Sequence, residues 1–276
     1  MAFENPHDGS LDYFLCRYGK SRLTFRGPHR KLTGRYVAMV GGLETYGKFV
    51  ATPFPELVER KIGLPVVNLG LANAGADAFL NDPDVMQVIE KADITVFQIL
   101  GAQNLSNRFY SVHPRRNDRF VGASPQLRSI FRDVDFTEVH FTKHLLHRLR
   151  SRSVDRFEVV AEELRAAWVR QMRSLLRAAK GKTVLMWVGV APPPPPGRRG
   201  DLAHEPLLVD SEMIAALRSF APTYLEVVPA TNAWAGSGTD DLVLGPLDAA
   251  MAQGMPGPAV HQAIAEALVP QLMSLK

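Results

Sequence analysis

The sequence predicts an α/β fold, a three-layer α/β/α arrangement with about five parallel strands. Short apolar runs rich in β-branched and aromatic residues alternate with longer amphipathic segments, and this alternation is typical of a parallel sheet with helices on both faces. The apolar runs are continuous, as expected of strands that are covered on both sides. With 276 residues, 46% of them hydrophobic, the chain is long enough for a full core.

The elements follow in order along the chain. Strands are predicted at 36–40, 65–69, 94–100, 183–190 and 224–228, and helices at 54–62, 82–92, 156–179, 211–220 and 258–275. Asp82 followed by Pro83 matches an N-cap and a first-turn proline. We expect a single domain over 1–276.

Two stretches interrupt the alternation. Residues 103–149 are polar, aromatic and rich in arginine, and an irregular segment of this length indicates a functional loop or an inserted subdomain. Residues 191–200 read APPPPPGRRG. Five prolines favour an extended, exposed loop, and a ligand for a proline-recognition module is the alternative interpretation.

Composition narrows the class of protein. The formal net charge of +4 fits a solvated basic face and does not imply nucleic acid. Cys16 is the single cysteine, so nothing indicates an oxidising compartment. No apolar run is long enough for a membrane span, and MAFENPHDGS lacks the features of a signal peptide. We therefore expect a cytoplasmic protein without a cofactor, whose oligomeric state the sequence leaves open.

In an open parallel sheet, ligands bind beyond the carboxyl ends of the strands. The loops at those positions read GGLETYGK (41–48), NLGLANAG (68–75) and GAQN (101–104), and His261 opens the last helical run, HQAIAEAL. These blocks, in this order, resemble those of the SGNH (GDSL-type) hydrolases. The stretch GAQNLSNRFYSVHPRRNDRF also resembles a segment shared by an uncharacterised group of bacterial proteins.

The SGNH resemblance implies a flavodoxin-like fold and acyl-transfer chemistry. In such chemistry a serine attacks a carbonyl, a histidine takes the serine proton, and an aspartate orients the histidine. Asn104 matches the asparagine that holds the oxyanion. The resemblance assigns backbone and binding roles to Gly42, Gly70, Asn73 and Gly75.

The catalytic positions depart from the family pattern. Leu43 stands where the nucleophilic serine belongs, so Thr45 or a serine of the insertion, Ser106 or Ser111, is the alternative nucleophile. For Thr45, we prefer the interpretation that its hydroxyl satisfies backbone groups in the turn.

The histidine is displaced as well. Met255 falls where the catalytic histidine is expected, and Asp240, Asp241 and Asp248 have no histidine three residues later. Either His261 has taken over as the base or the triad is gone.

The first loop has a second interpretation. Residues 42–48 fit G-x-x-x-x-G-K, the start of a phosphate-binding P-loop, although Phe49 replaces the hydroxyl that holds magnesium. A sulfotransferase-like enzyme needs no such hydroxyl, and Arg116 and Ser124 have the spacing of its second phosphate site.

The arginine-rich stretch predicts ligand contacts, because arginine forks bind anions and flanking aromatics stack on sugar or base rings. Its candidate substrate-binding residues are Arg108, Tyr110, His113, Arg115, Arg116 and Arg119. A loop whose arginines pair internally is the equal alternative. His140, His144 and His147 share a helical face, for which solvation is favoured over a metal site.

The sequence therefore predicts a divergent SGNH-like esterase or acyltransferase. Its ligand is small or glycan-type, acylated or carbohydrate-like, and can carry an anionic group. The alternatives are a catalytically inactive ligand-binding module and a sulfotransferase-like enzyme.

Overall fold

The computed structural model describes residues 11–230, 233–234, 241–246 and 248–276. Within them the strands are β1 (Val37–Gly41), β2 (Val66–Gly70), β3 (Ile94–Gln98), β4 (Tyr110–His113), β5 (Arg116–Ala123), β6 (Lys182–Val188) and β7 (Thr223–Val227). Five form a parallel sheet in the order β2-β1-β3-β6-β7. This is the doubly wound, flavodoxin-like order. The strands are added in one direction from β1 to β2 and in the opposite direction from β3 onward, so the switch point lies between β1 and β3. The predicted fold class is confirmed.

The described helices are α1 (Leu43–Tyr46), α2 (Phe54–Ile62), α3 (Ala76–Leu80), α4 (Pro83–Lys91), α5 (Pro125–Ile130), α6 (Thr142–Arg152), α7 (Val154–Ala178), α8 (Ser211–Ala215), α9 (Ala249–Ala252) and α10 (Pro258–Leu275). The bounds of α2 and α10 coincide with the prediction. Asp82 caps α4 as expected, because its carboxylate accepts the Val85 N–H. None of the described helices combines the length and the apolar character that a membrane span requires.

The two faces of the sheet bury separate apolar clusters. One face packs against α4 and α7, where Trp168 is buried and donates its indole N–H to the Leu100 carbonyl at 2.8 Å. The other packs against α2 and α10 through residues such as Phe54 and Ile264. Because the five strands are parallel, their carboxyl ends lie together at one edge of the sheet, which we call the carboxyl edge.

The predicted insertion has its own secondary structure. β4 and β5 pair as an antiparallel hairpin, and α5 and α6 follow. Asn117, at the start of the returning strand, is buried and accepts the N–H groups of Gly75 and Ala78 with its side-chain oxygen. The hairpin therefore lies against the β2–α3 turn, beside the carboxyl edge.

Candidate functional site

The loop after β1 forms the short helix α1, and Gln98 at the end of β3 holds it in place. The side-chain oxygen of Gln98 accepts the Gly42 N–H at 3.0 Å and the Thr45 hydroxyl at 2.7 Å. Thr45 is only 1% exposed. Its hydroxyl therefore joins the turn to the neighbouring strand, which matches the structural interpretation of this residue better than that of a nucleophile.

Glu44 is the acidic group of this edge. The residue is half-buried, and its carboxylate accepts the Gln98 amide N–H at 2.5 Å. Burial raises the pKa of the Glu44 carboxyl, the Gln98 hydrogen bond partly offsets this, and the nearby charge of Glu205 adds to the rise. A carboxyl with a raised pKa in a ligand-binding position is a candidate acid–base group. Leu43, the residue before it, offers no reactive atom.

The backbone donors expected from the second loop are already in use. The Gly70 N–H donates to the Asn68 side-chain oxygen at 2.8 Å, and the Asn68 amide donates to the Thr45 carbonyl at 2.8 Å. The Gly75 N–H donates to Asn117 at 2.9 Å. Asn73 is exposed and has a left-handed backbone, with φ of 57°. In this arrangement Gly70 and Gly75 stabilise the loop rather than offering N–H groups to an oxyanion.

Asn104 also has hydrogen-bond partners, one on its amide nitrogen and one on its side-chain oxygen. Its amide donates to the Asn73 carbonyl at 2.9 Å, and its side-chain oxygen accepts the Thr142 hydroxyl at 2.6 Å. The residue is 6% exposed. Asn104 therefore ties the third loop to the second loop and to α6, at the position where the resemblance placed an oxyanion ligand.

His261 lies in the interface between α2 and α10 and is fully buried. Its Nδ1 accepts the Phe54 N–H at 3.0 Å, and the two rings stack. Burial, with the positive charge of Arg26 adding to it, lowers the pKa of His261 to about 3. Such an imidazole stays neutral and enclosed, unlike an accessible general base.

Among the described residues upstream of α10, neither Met255 nor Asp248 acts as a second base. Met255 packs against Phe49 and Leu242. Asp248 accepts the Gly245 N–H, and Asp240 lies outside the described residues.

The geometry of residues 42–48 differs from that of a P-loop. A P-loop leads into a long helix and points its backbone N–H groups at phosphate, whereas α1 ends at Tyr46 and the Gly42 N–H is bound to Gln98. The Lys48 ammonium lies 4.7 Å from the centre of the Phe49 ring. At the second predicted phosphate position, the Ser124 hydroxyl caps α5 by accepting the Leu127 N–H.

The arginine-rich stretch divides into two groups. Arg108 stacks on Phe109 and lies 3.5 Å from Glu163, Arg119 stacks on Phe141, and the buried Tyr110 donates to the Gln103 carbonyl. These three candidates stabilise the insertion. The other group lies at the hairpin turn.

At that turn, Arg115 and Arg116 are exposed and form no ion pair within the part of the chain that the structure describes. His113, beside them, accepts the Arg115 N–H. His140, His144 and His147 are also exposed, and no group of three or more metal-ligating side chains occurs among the described residues.

A family model for a domain of unknown function (DUF6473) matches residues 1–276. The chain belongs to this family. No curated protein matches the DUF6473 chain in sequence.

Several solved structures match the DUF6473 protein at low identity, with folds of the SGNH hydrolase and carbohydrate esterase type. A gut microbial diltiazem-metabolizing enzyme has 10% identity and a TM-score of 0.43, covering 86% of this chain and 46% of its own. A family two carbohydrate esterase from Clostridium thermocellum, in complex with cellohexaose, has 9% identity and a TM-score of 0.42, covering 91% and 67%. A catalytic mutant of an acetylxylan esterase from Geobacillus stearothermophilus has 15% identity and a TM-score of 0.41, covering 87% and 94%. Similarities of this size carry no information about activity, and the chain spans less than half of the diltiazem-metabolizing enzyme.

Within the residues that the structure describes, a histidine–carboxylate pair is present that the sequence analysis does not predict. His204 Nδ1 lies 2.7 Å from the Asp201 carboxylate, with Arg198 beside the ring. Its sequence signal is the Asp-x-x-His spacing of Asp201 and His204, which the SGNH resemblance places just before the last helix. This pair lies instead in the connection between β6 and β7.

Proposed function

We propose that the protein is a divergent esterase-type enzyme that hydrolyses or transfers an acyl group at the carboxyl edge, with Glu44 as its acid–base group. The observation that carries the proposal is the position of the Glu44 carboxyl. It follows the end of β1 directly, it is held by Gln98 from the end of β3, and its pKa is raised. Those strand ends flank the point where the sheet reverses direction, the usual ligand position in this type of fold.

The hydrogen bonds of Gln98 give Glu44 a fixed orientation. Because the Gln98 oxygen accepts from Gly42 and Thr45, its amide N–H groups point toward the Glu44 carboxylate. Glu44 would take a proton from a water or an acceptor hydroxyl as that oxygen attacks the acyl carbonyl. It would return the proton to the alkoxide that leaves when the ester C–O bond breaks.

The hairpin turn suggests the character of the substrate. Arg115 and Arg116 are exposed and unpaired among the described residues, and Asn117 anchors the turn beside Gly75. Asn73, two residues before Gly75, is exposed beside the same turn. We infer that an anionic or sugar-type portion of an acylated ligand contacts His113, Arg115, Arg116 and Asn73. Arginine forks are suited to a carboxylate or phosphate.

The test compares wild type with Glu44→Gln, which keeps the shape of the side chain but cannot transfer a proton. On p-nitrophenyl acetate and an acetylated sugar, we expect kcat/KM to fall by about 10²–10⁴. The wild-type rate should rise with pH, since a base must be deprotonated, with a midpoint above the ordinary Glu pKa of 4.5. Glu56→Gln, at a partly exposed acid paired with Arg60, is the matched control and should retain the wild-type rate.

A second function, ligand binding without catalysis, is favoured by a separate observation. The Thr45 hydroxyl and the His261 imidazole, the nucleophile and base predicted for ester hydrolysis, are both engaged in the fold. Saturable binding of an acetylated sugar with no turnover above the Glu44→Gln background would favour this function and reject the esterase.

A further inference from the structure

The two outer strands of the central sheet, β2 and β7, leave their free edges in different states. β2 is buried, and side chains of the same chain occupy N–H groups on its outer side. The Val66 N–H donates to the Glu59 carboxylate at 2.6 Å, and the Gly70 N–H donates to the Asn68 side chain at 2.8 Å. At β7, the outward backbone groups have no partner within the described residues. Such an edge is a template on which another strand can pair.

The pairing of β7 with β6 decides which of its backbone groups point outward. The Val227 carbonyl accepts the N–H of Gly189, the residue that follows β6, at 3.2 Å. Because the N–H and C=O groups of successive residues in a strand point to alternate sides, Thr223, Leu225 and Val227 all face β6. The backbone groups of Tyr224 and Glu226 therefore point to the open side of the strand.

The side chains of β7 give the open edge one apolar face and one charged face. Leu225 and Val227 belong to the apolar cluster beneath α2 and α10. On the opposite face, Tyr224 donates its hydroxyl to the exposed Glu226 at 3.2 Å. The Arg218 guanidinium lies 4.9 Å from the centre of the Tyr224 ring, and it is exposed and forms no ion pair in the part of the chain that the structure describes. A cation and an anion are therefore both present at the edge without pairing with each other.

A second copy of the same strand can pair with this edge in very few registers. In an antiparallel pair related by a twofold axis, residues with outward backbone groups must lie opposite each other. An axis at Leu225 places Tyr224 opposite Glu226 of the second copy, and the reverse. An axis at Glu226 would place two carboxylates opposite each other, which is destabilising. An axis at Tyr224 would place Pro222, which has no N–H, opposite Glu226. The register centred on Leu225 is therefore favoured.

We propose that β7 is a homodimer interface, in which it pairs antiparallel with β7 of a second copy about an axis at Leu225. The two five-stranded sheets then form one continuous sheet. Opposite residues of paired strands point to the same face, so Glu226 of the second copy lies beside Tyr224 and the Arg218 that stacks on it. On the other face, the two Leu225 side chains meet across the axis. The interface is independent of the esterase proposal, because it uses no residue of the Glu44 region.

The first test is sedimentation equilibrium of the full chain, for which we expect a monomer–dimer equilibrium. Glu226→Arg and Arg218→Glu should each weaken dimerisation at least tenfold, because each places like charges together and the twofold axis makes every substitution act twice. The double variant exchanges the two charges and should recover most of the wild-type affinity. Glu162→Arg makes the same charge reversal at an exposed position of α7 and should leave the affinity unchanged.

A disulfide measurement tests the register itself. Cys16 is the single cysteine, so Cys16→Ser provides a background without thiols. In that background, Leu225→Cys places two thiols at a non-hydrogen-bonded pair, with Cα atoms about 4.5 Å apart, which is within disulfide range. Mild oxidation should link this variant at least tenfold faster than Glu226→Cys, whose two thiols lie on opposite sides of the axis.

Three results would overturn the proposal. The first is a wild-type chain that stays monomeric. The second is a dimer that Glu226→Arg does not weaken, since its interface would then lie elsewhere on the molecule. The third is disulfide formation in Glu226→Cys as fast as in Leu225→Cys, since the strands would then not be centred on Leu225.

Discussion

The carboxyl edge around β1–β3 and the His204 region, which comprises Arg198, Asp201 and His204 beside the proline-rich loop, both collect polar side chains, but they differ in how many of the hydrogen-bonding groups are already engaged. At the edge, Thr45 and Asn104 spend their hydrogen-bonding groups on the fold, and Glu44 is the group left for chemistry. In the His204 region, Asp201 holds His204 Nδ1 and Arg198 lies against Nε2, while the remaining N–H groups of Arg198 have no partner among the described residues. Residue type and order therefore identify where a site should be, but the hydrogen bonds that remain unmade decide what it can do.

The largest expected effect tests whether the edge is structural. A Cβ added at Gly75 would lie 1.6 Å from the Asn104 carbonyl oxygen, and a backbone atom cannot move aside as a flexible side chain can. We expect Gly75→Ala to lower the free energy of unfolding by about 3 kcal/mol. Urea denaturation measures it.

Two variants control for this comparison. Gly122→Ala has open space around its Cβ and should be neutral. His204→Ala, in the His204 region, should change the free energy of unfolding by less than about 0.5 kcal/mol. Equal losses from Gly75→Ala and His204→Ala would remove the distinction between the two regions.

A smaller effect separates the two imidazoles. The folded-state pKa of His261 is about 3, below its ordinary value of 6.5, so protonation favours the unfolded chain. Its contribution to stability is present above pH 6.5 and is lost as pH falls toward 3, at about 1.4 kcal/mol per pH unit. Between pH 6.5 and about pH 5, wild type should lose about 2 kcal/mol more than His261→Gln.

The matched measurement uses His204→Gln, at an imidazole that is exposed to solvent. Its stability should follow the wild-type pH dependence over the same interval. If His261→Gln also follows wild type, His261 is accessible to protons in the folded state and regains its candidacy as a base.

The sequence predicts the sheet well because the strands are buried on both faces, so an apolar run marks each one. The bounds of β3 and β6 differ from the prediction mainly at their carboxyl ends, where the chain stays apolar after strand pairing stops. Helix α8 ends at Ala215 rather than at 220. The predicted helix is longer because the apolar pattern continues after the helical hydrogen bonds end.

The site was harder to predict than the fold. Asn104 has the right type and place for an oxyanion ligand, yet its amide donates to the Asn73 carbonyl, 31 residues earlier, and its oxygen accepts from Thr142, 38 residues later. Glu44 acquires its raised pKa from burial in the fold, with the charge of Glu205, distant in sequence, adding to the rise and the Gln98 hydrogen bond partly offsetting it. The spacing of Asp201 and His204 indicates a histidine–carboxylate pair, but only the fold shows that Arg198 lies beside it. Long-range partners decide these roles, and spacing along the chain does not encode them.

The smallest expected effect tests Thr45 itself. Thr45→Val removes the hydroxyl that donates to Gln98, while the Gln98 oxygen keeps the Gly42 N–H as a donor. We therefore expect a loss of only about 1 kcal/mol in the free energy of unfolding. Thr137→Val, at an exposed hydroxyl that donates to Asp135, is the comparison and should lose less. If ester turnover is found, Thr45→Val should lower it far less than Glu44→Gln, since its effect reaches Glu44 only through Gln98. A complete loss of turnover in Thr45→Val, with folding intact, would make Thr45 the nucleophile and return the carboxyl edge to serine-type chemistry.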